Sequence, residues 1–196
     1  MMGQASFDLI VIGAGQAGPF LAAKLAHAGK KVALIEARQL GGTCVNRGCT
    51  PTKTLRKSAR VAYMARRAAE FGVDVGPVTV NFGVAMARMR KRITDARTGL
   101  EGWLGALPGL TIHYAHGQLA GRDGADFIVQ AGEHTLRAPQ VVLNTGTRSF
   151  MPPIPGLSTV PALDSEGLLA LDELPKKLVI IGGGYISLEM AQIFRR

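Results

Sequence analysis

Short apolar runs alternate with glycine turns and helix-like stretches in the first part of the chain. Residues 8–12 form an apolar run rich in β-branched side chains, followed by a glycine-rich turn and an alanine-rich stretch. This order predicts a strand, a turn and a helix over about residues 16–28, with Pro19 in its first turn and Gly29 after its end. Residues 31–36 predict a second buried strand. The right-handed crossover of such a βαβ unit makes its strands parallel, which begins a doubly wound α/β sheet.

The middle of the chain changes from helical to strand periodicity. Residues 44–70 and 82–104 carry apolar positions at roughly helical spacing, and glycine and proline bound both stretches. After Pro108 the pattern predicts strands over residues 110–114, 127–130 and 135–143. We therefore expect an α/β domain that includes a group of shorter strands.

The end of the chain repeats the pattern of its beginning. After a proline-rich linker that includes residues 151–161, residues 177–181 repeat the opening apolar run, and residues 182–187 repeat the glycine turn. A helix is predicted over residues 188–196. This is the start of a second βαβ unit, and no later segment of this sequence supplies a strand to pair with it.

The first glycine turn is a candidate dinucleotide site. Gly13, Gly15 and Gly18 have the Gly-x-Gly-x-x-Gly spacing, which places backbone N–H groups and a helix N-terminus where a pyrophosphate can bind. Glu36 ends the second strand 18 positions after Gly18, where a carboxylate can accept hydrogen bonds from the hydroxyls of an adenosine ribose. The alternative for Glu36 is a solvent-exposed strand end. The whole order of strand, glycines, helix, strand and acid favours dinucleotide binding.

The two cysteines lie in the segment over residues 41–53, which contains the most specific motif of the chain. On a regular helix the Cα atoms of Cys44 and Cys49 would be roughly 8.6 Å apart, whereas a disulfide needs about 4.4 to 6.8 Å. Gly48 and Pro51 can distort the start of the helix enough to close a reducible disulfide. Two buried thiols or a metal site are the alternatives, although the histidines show no ligand spacing and no metal is expected.

Composition and charge narrow the class of protein. The chain has 196 residues, 47% hydrophobic, with a formal net charge of +9. The basic residues cluster on the two predicted helices with few aromatic residues between them, so we interpret them as solvated helix faces and expect no nucleic-acid binding. No stretch approaches the ~18 apolar residues of a membrane span, and the N-terminus lacks a basic leader. We expect a cytoplasmic protein without membrane association, in which two cysteines are redox-active.

With these motifs the chain resembles the class I pyridine nucleotide–disulfide oxidoreductases, the group of glutathione reductase, dihydrolipoamide dehydrogenase and mercuric reductase. Residues 41–53 are similar to the active-site signature of the family, and residues 182–189 are similar to its Gly-Gly-Gly-Tyr-Ile-x-x-Glu nucleotide motif. The start of the cysteine motif resembles mercuric reductases most closely. The resemblance implies a Rossmann-like FAD-binding domain over residues 1–150, a linker over residues 151–175 and an incomplete NAD(P)-binding domain over residues 176–196.

The resemblance also implies an electron relay from NAD(P)H through FAD to a Cys44–Cys49 disulfide and then to a disulfide or metal-ion substrate. Cys49 would face the flavin and Cys44 would attack the substrate, while Lys53 would approach flavin N5 and pair with Glu189. Tyr185 would cover the flavin until nicotinamide displaces it, although a packed aromatic is the alternative. The residues implied in cofactor binding are Gly13, Gly15, Gly18, Glu36, Gly42, Thr43, Lys53, Gly117, Thr145, Gly146, Gly182, Gly184, Tyr185 and Ile186.

Three positions depart from the pattern of the family. Asn144 precedes the second flavin-contact turn where alanine is commoner, Gln118 replaces a small residue near the expected adenine contact, and Ser187 stands at the third glycine of the second turn. A serine is small enough to be tolerated there.

Family members are well over twice this length. The rest of the family's fold includes a homodimer interface domain that carries a His–Glu acid–base pair, so we do not expect complete turnover by these residues alone. The alternative hypothesis is therefore a truncated flavin-binding fragment without catalysis. A flavin monooxygenase would also have two glycine turns, but it gives no reason for Cys44, Cys49 and Lys53.

Overall fold

The computed structural model describes residues 5–196, which divide into two compact units. The first unit contains residues 5–46 and 95–148, and the second contains residues 47–94 and 149–196. Each unit is therefore built from two separate stretches of chain, and a long helix over Phe82–Gly105 contributes residues to both. The division into an FAD-binding domain, a linker and an NAD(P)-binding domain stays a prediction about the whole protein.

A four-stranded parallel sheet is the centre of the first unit. Its strands are β2 (Leu9–Ile12), β3 (Val32–Glu36), β4 (Leu110–Tyr114) and β8 (Val141–Leu143), in the order β4-β3-β2-β8. The register places Ile10 opposite both Ala33 and Val141, and all three pairings are parallel. The βαβ unit predicted from the two opening apolar runs is confirmed.

A second sheet covers one face of the parallel sheet. Its strands are β1 (Ala5–Ser6), β5 (Gly117–Asp123), β6 (Asp126–Ala131) and β7 (His134–Ala138), in the order β1-β7-β6-β5. The single strand predicted over residues 135–143 is wrong, because this segment forms β7 in one sheet and β8 in the other. Strand β5 was not predicted, since it is mostly exposed and carries a register shift between Leu119 and Gly121.

The two faces of the parallel sheet have different coverings. Leu9, Val11 and Leu34 pack with alanines of helix α1 (Gly18–His27) and with Leu104. On the opposite face Ile10, Ile12 and Ile35 pack against Val129 and Leu136 of the second sheet. The α/β, Rossmann-like fold class is confirmed, with the difference that a mixed β-layer, antiparallel except for the β1–β7 pair, covers the face where a doubly wound sheet carries helices.

Helix α1 begins two positions later and ends one position earlier than predicted, with Pro19 and Gly29 in their predicted places. Pro19 lies in its first turn, where the missing N–H leaves no hydrogen bond unmade. At the other end Gly29 has φ +78°, its N–H donates to Ala26 O at 2.9 Å, and the Lys30 N–H donates to Leu25 O at 3.0 Å. These bonds form a Schellman cap, which fixes the exit of the chain toward β3.

The second unit is helical. It contains helix α3 (Cys49–Arg66), the first part of helix α4 (Phe82–Gly105), helix α5 (Ser165–Leu169) and helix α6 (Tyr185–Arg195), and α2 (Gly42–Arg47) reaches it at Arg47. Its core is formed by Leu55, Met86, Met89, Leu168, Leu169 and Met190.

The strand predicted over residues 177–181 is absent from the described residues of this unit. A strand needs a hydrogen-bonded neighbour, and the described part of the second unit provides none. The predicted helix is present and begins three positions earlier than expected, at Tyr185.

His113 makes the free energy of unfolding of the first unit depend on pH. Its ring lies on β4, 5.3 Å from the ring of His134 and 6.2 Å from that of Phe7, and its Nε2 is buried with no hydrogen-bond partner among the described residues. Burial, and to a lesser degree the neighbouring His134, lowers the pKa of His113. A protonated His113 is thus favoured in the unfolded chain, so stability present above the unfolded pKa of about 6.5 is lost as the pH falls.

We therefore expect the free energy of unfolding to decrease between about pH 7.5 and about pH 5.5, and His113→Gln to make this dependence shallower. Urea denaturation across this pH range measures the effect. His116→Gln is the matched control, since His116 is exposed. Equal pH dependence of the wild type and His113→Gln would contradict the assignment.

No helix within residues 5–196 is long and apolar enough to cross a membrane. The same described residues contain no group of three His, Cys, Asp or Glu side chains arranged to hold a metal ion.

Candidate active site

The first glycine turn lies between β2 and α1 and leaves no room for two side chains. Gly13 has φ +105°, and a Cβ there would lie 2.2 Å from Asn144 O. A Cβ on Gly18 would lie 2.3 Å from Gly13 O. In contrast, a Cβ on Gly15 would meet its nearest neighbour at 3.4 Å, an ordinary contact. The fold therefore requires glycine at positions 13 and 18, whereas a Cβ at position 15 would make only an ordinary contact with Asn144.

Glu36 at the end of β3 is directed to this turn. Its Oε2 accepts a hydrogen bond from Ala14 N at 2.8 Å, and its Oε1 accepts one from Arg38 N at 2.8 Å. An ionised carboxylate has about four acceptor positions. Glu36 therefore keeps capacity to bind hydroxyl groups while the backbone holds its orientation.

The loop before Cys44 packs directly on the glycine turn. Gly41 and Gly42 have φ +90° and +56°, the Gly41 N–H donates to Ala14 O at 2.8 Å, and a Cβ on Gly42 would lie 2.7 Å from Gly15 Cα. The exposed Thr43 follows in α2. This close approach of two backbones explains why the loop has two consecutive glycines.

Buried Asn46, which the sequence analysis did not single out, braces this loop. Its Nδ2 donates to Leu40 O at 2.9 Å and to Gly42 O at 3.0 Å. Its Oδ1 is buried and has no partner among the described residues. The signal available in the sequence was an asparagine inside the cysteine motif. Its hydrogen-bond partners could not be predicted, because they depend on how the loop folds.

The two cysteines lie on either side of a helix break. Helix α2 ends at Arg47, Gly48 has φ −133° and ψ −102°, and α3 begins at Cys49. The continuous helix predicted over residues 44–70 is therefore wrong, and the distortion expected at Gly48 is present. Both cysteines are disulfide-bonded, and since the sequence contains two, they form the Cys44–Cys49 disulfide. Cys44 is half-buried and Cys49 is exposed.

The predicted second contact turn lies beside the first. The Asn144 N–H donates to Ile12 O at 2.8 Å, which extends the β2–β8 pairing, and exposed Thr145 and Gly146 follow. Gly117, the first residue of β5, packs against the end of β2, where a Cβ would lie 2.9 Å from Ile12 Cγ2. The first unit therefore brings together the residues predicted for the FAD site, except for Lys53, which lies in the second unit.

In the second unit, Lys53 and Glu189 form an ion pair. Lys53 Nζ lies 2.5 Å from Glu189 Oε1, and the two side chains are 60% and 22% exposed. Lys53 is on α3, one turn after Cys49, and Glu189 is on α6. The two residues are 136 positions apart in sequence, and their ion pair joins α3 to α6.

We expect Glu189→Gln to lower the free energy of unfolding by about 0.5 to 1 kcal/mol. Ion pairs between solvent-exposed side chains contribute little to stability, and solvent screens this pair in part, because Lys53 is 60% and Glu189 22% exposed. Asp172→Asn is the matched control, since Asp172 pairs with Arg90 at 2.6 Å but is 83% exposed. Urea denaturation of the two variants measures the difference. A larger loss for Asp172→Asn would show that burial does not set the strength of these pairs.

The second glycine turn shares the conformation of its first glycine with the first turn. Gly182 has φ +106°, close to the value at Gly13, and Gly184 is the N-cap of α6. Tyr185 begins this helix with 80% of its surface exposed, and Ile186 is 44% exposed. The repeat predicted from the sequence is confirmed in the backbone at this first glycine.

Comparisons with known proteins agree with this arrangement. Residues 7–196 match the family described as pyridine nucleotide-disulphide oxidoreductase. Dihydrolipoyl dehydrogenase of Chlamydia trachomatis is 38% identical over 96% of this chain and 41% of its own length, and mercuric reductase of Shigella flexneri is 34% identical over 97% and 34%.

A solved structure of RclA from Escherichia coli, described as an HOCl-induced flavoprotein disulfide reductase, is also similar. It has a TM-score of 0.79 and 35% identity, and the comparison covers 95% of this chain and 39% of that one. The chain thus spans between about one third and two fifths of the length of these relatives. With a family match over nearly its whole length, this chain belongs to the pyridine nucleotide-disulphide oxidoreductase family.

Proposed function

We propose that the chain forms the FAD-binding and redox-disulfide part of an oxidoreductase that passes electrons from NAD(P)H through FAD to the Cys44–Cys49 disulfide. The observation that carries the proposal is the packing of the cysteine loop on the glycine turn, with a Gly42 Cβ position 2.7 Å from Gly15 Cα. A bound dinucleotide phosphate and the loop that leads to the disulfide would therefore share one support.

The residues present fit FAD. Gly15 has no side chain, so a pyrophosphate could approach the backbone N–H groups at the start of α1, where the helix dipole favours negative charge. Glu36 keeps acceptor positions for the two ribose hydroxyls of the adenosine. In this proposal Gly13 and Gly18 shape the turn, Gly42 and Thr43 line it, and Gly117, Thr145 and Gly146 complete the contacts.

When bound, FAD would accept two electrons from NAD(P)H and supply them to the disulfide. The reduction consumes two electrons and two protons and breaks the S–S bond to give two thiols. Cys49 is proposed as the cysteine that faces the flavin, and Cys44 as the one that acts on the substrate. A Cys44 thiolate would attack a substrate disulfide and release one thiol, and Cys49 would then displace the second and restore the Cys44–Cys49 bond.

The Lys53–Glu189 pair is proposed to tune this chemistry. A Lys53 ammonium near the flavin would favour negative charge on the ring system, and Glu189 would hold the ammonium in place through its 2.5 Å contact. Gly182, Gly184 and Ile186 are proposed to bind NAD(P)H. Exposed Tyr185 is proposed as the side chain that nicotinamide displaces.

For the whole protein we propose a disulfide or metal-ion substrate, as for mercuric reductase, and a homodimer in the cytoplasm. The substrate classes come from relatives named dihydrolipoyl dehydrogenase and mercuric reductase. Oxidation of NADH or NADPH with lipoamide, glutathione disulfide or Hg²⁺ tests them in turn.

The direct test is FAD binding by the purified chain, followed by these activity assays. Stoichiometric FAD in this chain and turnover of one substrate class by the whole protein are the expected results. FAD binding without turnover would favour the alternative of a non-catalytic flavin-binding chain. Absence of FAD binding would overturn the proposal.

A further inference from the structure

We propose that Asn144 is a positioning residue for the adenosine end of FAD. It fixes the Gly13–Ala14 peptide and, through that peptide, the Glu36 carboxylate. The inference rests on the proposed function, because it takes Glu36 as the acceptor for the ribose hydroxyls.

The Gly13–Ala14 peptide is held from both sides. Its carbonyl oxygen accepts a hydrogen bond from Asn144 Nδ2 at 3.0 Å, and its N–H donates to Glu36 Oε2 at 2.8 Å. Because a peptide unit is planar, rotation that breaks one bond also breaks the other. Hydrogen bonds in such a chain polarise one another, so the amide of Asn144 strengthens the hold of the peptide on Glu36.

Asn144 is itself held in place. Its backbone N–H donates to Ile12 O at 2.8 Å, as a continuation of the pairing between β8 and β2. Its Nδ2 lies 2.8 Å from the Cβ position of Gly18 and 3.4 Å from that of Gly15. The side chain therefore crosses the glycine turn, and it fits there because Gly18 has no Cβ.

The hydrogen bond to Gly13 O requires a side chain with a donor group at position 144. Alanine, which is commoner here in the family that the sequence resembles, has no donor and would leave Gly13 O unpaired. Aspartate has the shape of asparagine but presents carboxylate oxygens to the carbonyl, and it adds negative charge beside the site proposed for the pyrophosphate. We expect Asn144→Ala to weaken FAD binding by about 3- to 10-fold, and Asn144→Asp to weaken it more.

The experiment compares these two variants with Gln130→Ala in the full chain. Gln130 is a matched control, because its Nε2 donates to Gly132 O at 2.8 Å in a hairpin of the same unit. Hydrogen exchange of the Ala14 amide is measured by NMR in the ligand-free protein, and dissociation constants are measured for FAD and ADP. For Asn144→Ala we expect faster Ala14 exchange and an equal loss of FAD and ADP affinity, with no change in either for Gln130→Ala.

The outcomes separate the two claims. Unchanged Ala14 exchange in Asn144→Ala would overturn the positioning role, whether or not FAD binds. Faster exchange with unchanged FAD and ADP affinity would also overturn it, because the hold of Asn144 on the peptide would then have no effect on ligand binding. A wild-type chain that binds neither FAD nor ADP would overturn the proposed function and the assignment of Asn144 to cofactor binding with it, and the exchange data would still report on the peptide.

Discussion

Gly15→Ala is expected to weaken FAD binding at least tenfold while changing the free energy of unfolding of the ligand-free protein by less than about 1 kcal/mol. A Cβ at position 15 would meet its nearest protein atom at 3.4 Å, so the fold accommodates it. A pyrophosphate is proposed to approach the backbone most closely at this glycine, so the added methyl group is expected to hold it away from the backbone N–H groups. Titration with FAD and urea denaturation of the ligand-free variant measure the two quantities.

Gly102→Ala is the matched control for this substitution. Gly102 lies in helix α4 with no atom within 4 Å of its Cβ position, so alanine there is expected to leave FAD affinity unchanged and to stabilise the helix by about 1 kcal/mol. Wild-type FAD affinity in Gly15→Ala would show that the cofactor does not bind over this turn.

Cys49→Ser is expected to abolish the long-wavelength absorbance of a thiolate in contact with FAD, and Cys44→Ser is expected to show this absorbance without added reductant. Cys44→Ser leaves Cys49 as a free thiol, and Cys49 is the cysteine proposed to face the flavin. Both serine variants should retain FAD, because neither cysteine belongs to the glycine turn. The visible spectrum of each variant with bound FAD is the measurement.

The two serine variants control for each other. Each removes the same Cys44–Cys49 crosslink, so each should lose about 2 kcal/mol of stability by the loop-entropy estimate, and only the spectrum should distinguish them. The long-wavelength absorbance in Cys49→Ser but not in Cys44→Ser would reverse the assigned roles. Loss of FAD in Cys49→Ser would show that this cysteine supports binding instead.

The sequence predicted those parts of the fold that depend on neighbouring residues. The apolar runs around Ile10 and Leu34 are buried on both faces, so their pattern indicated parallel strands without knowledge of the covering layers. The glycine spacing indicated the turn, and Gly13 and Gly182 have nearly the same φ. The break at Gly48 could be expected because two bonded cysteines five positions apart do not fit a regular helix.

The remaining features depend on partners that are distant in sequence. Residues 177–181 have the composition of a strand, but pairing requires a neighbour that the described residues of the second unit do not provide. Strand β5 is mostly exposed and carries little apolar signal. The bond between Asn144 and Gly13 spans 131 positions. The sequence showed Asn144 as a departure from the family pattern, but it did not show what the side chain contacts.

Anaerobic reduction of the chain with bound FAD by dithionite shows whether the glycine turn and the disulfide act on one flavin. We expect two electrons per FAD to produce a long-wavelength thiolate band while the flavin stays oxidised, and thiol titration then to find two free cysteines. Direct bleaching of the flavin without this band, with the Cys44–Cys49 disulfide still intact, would contradict the account.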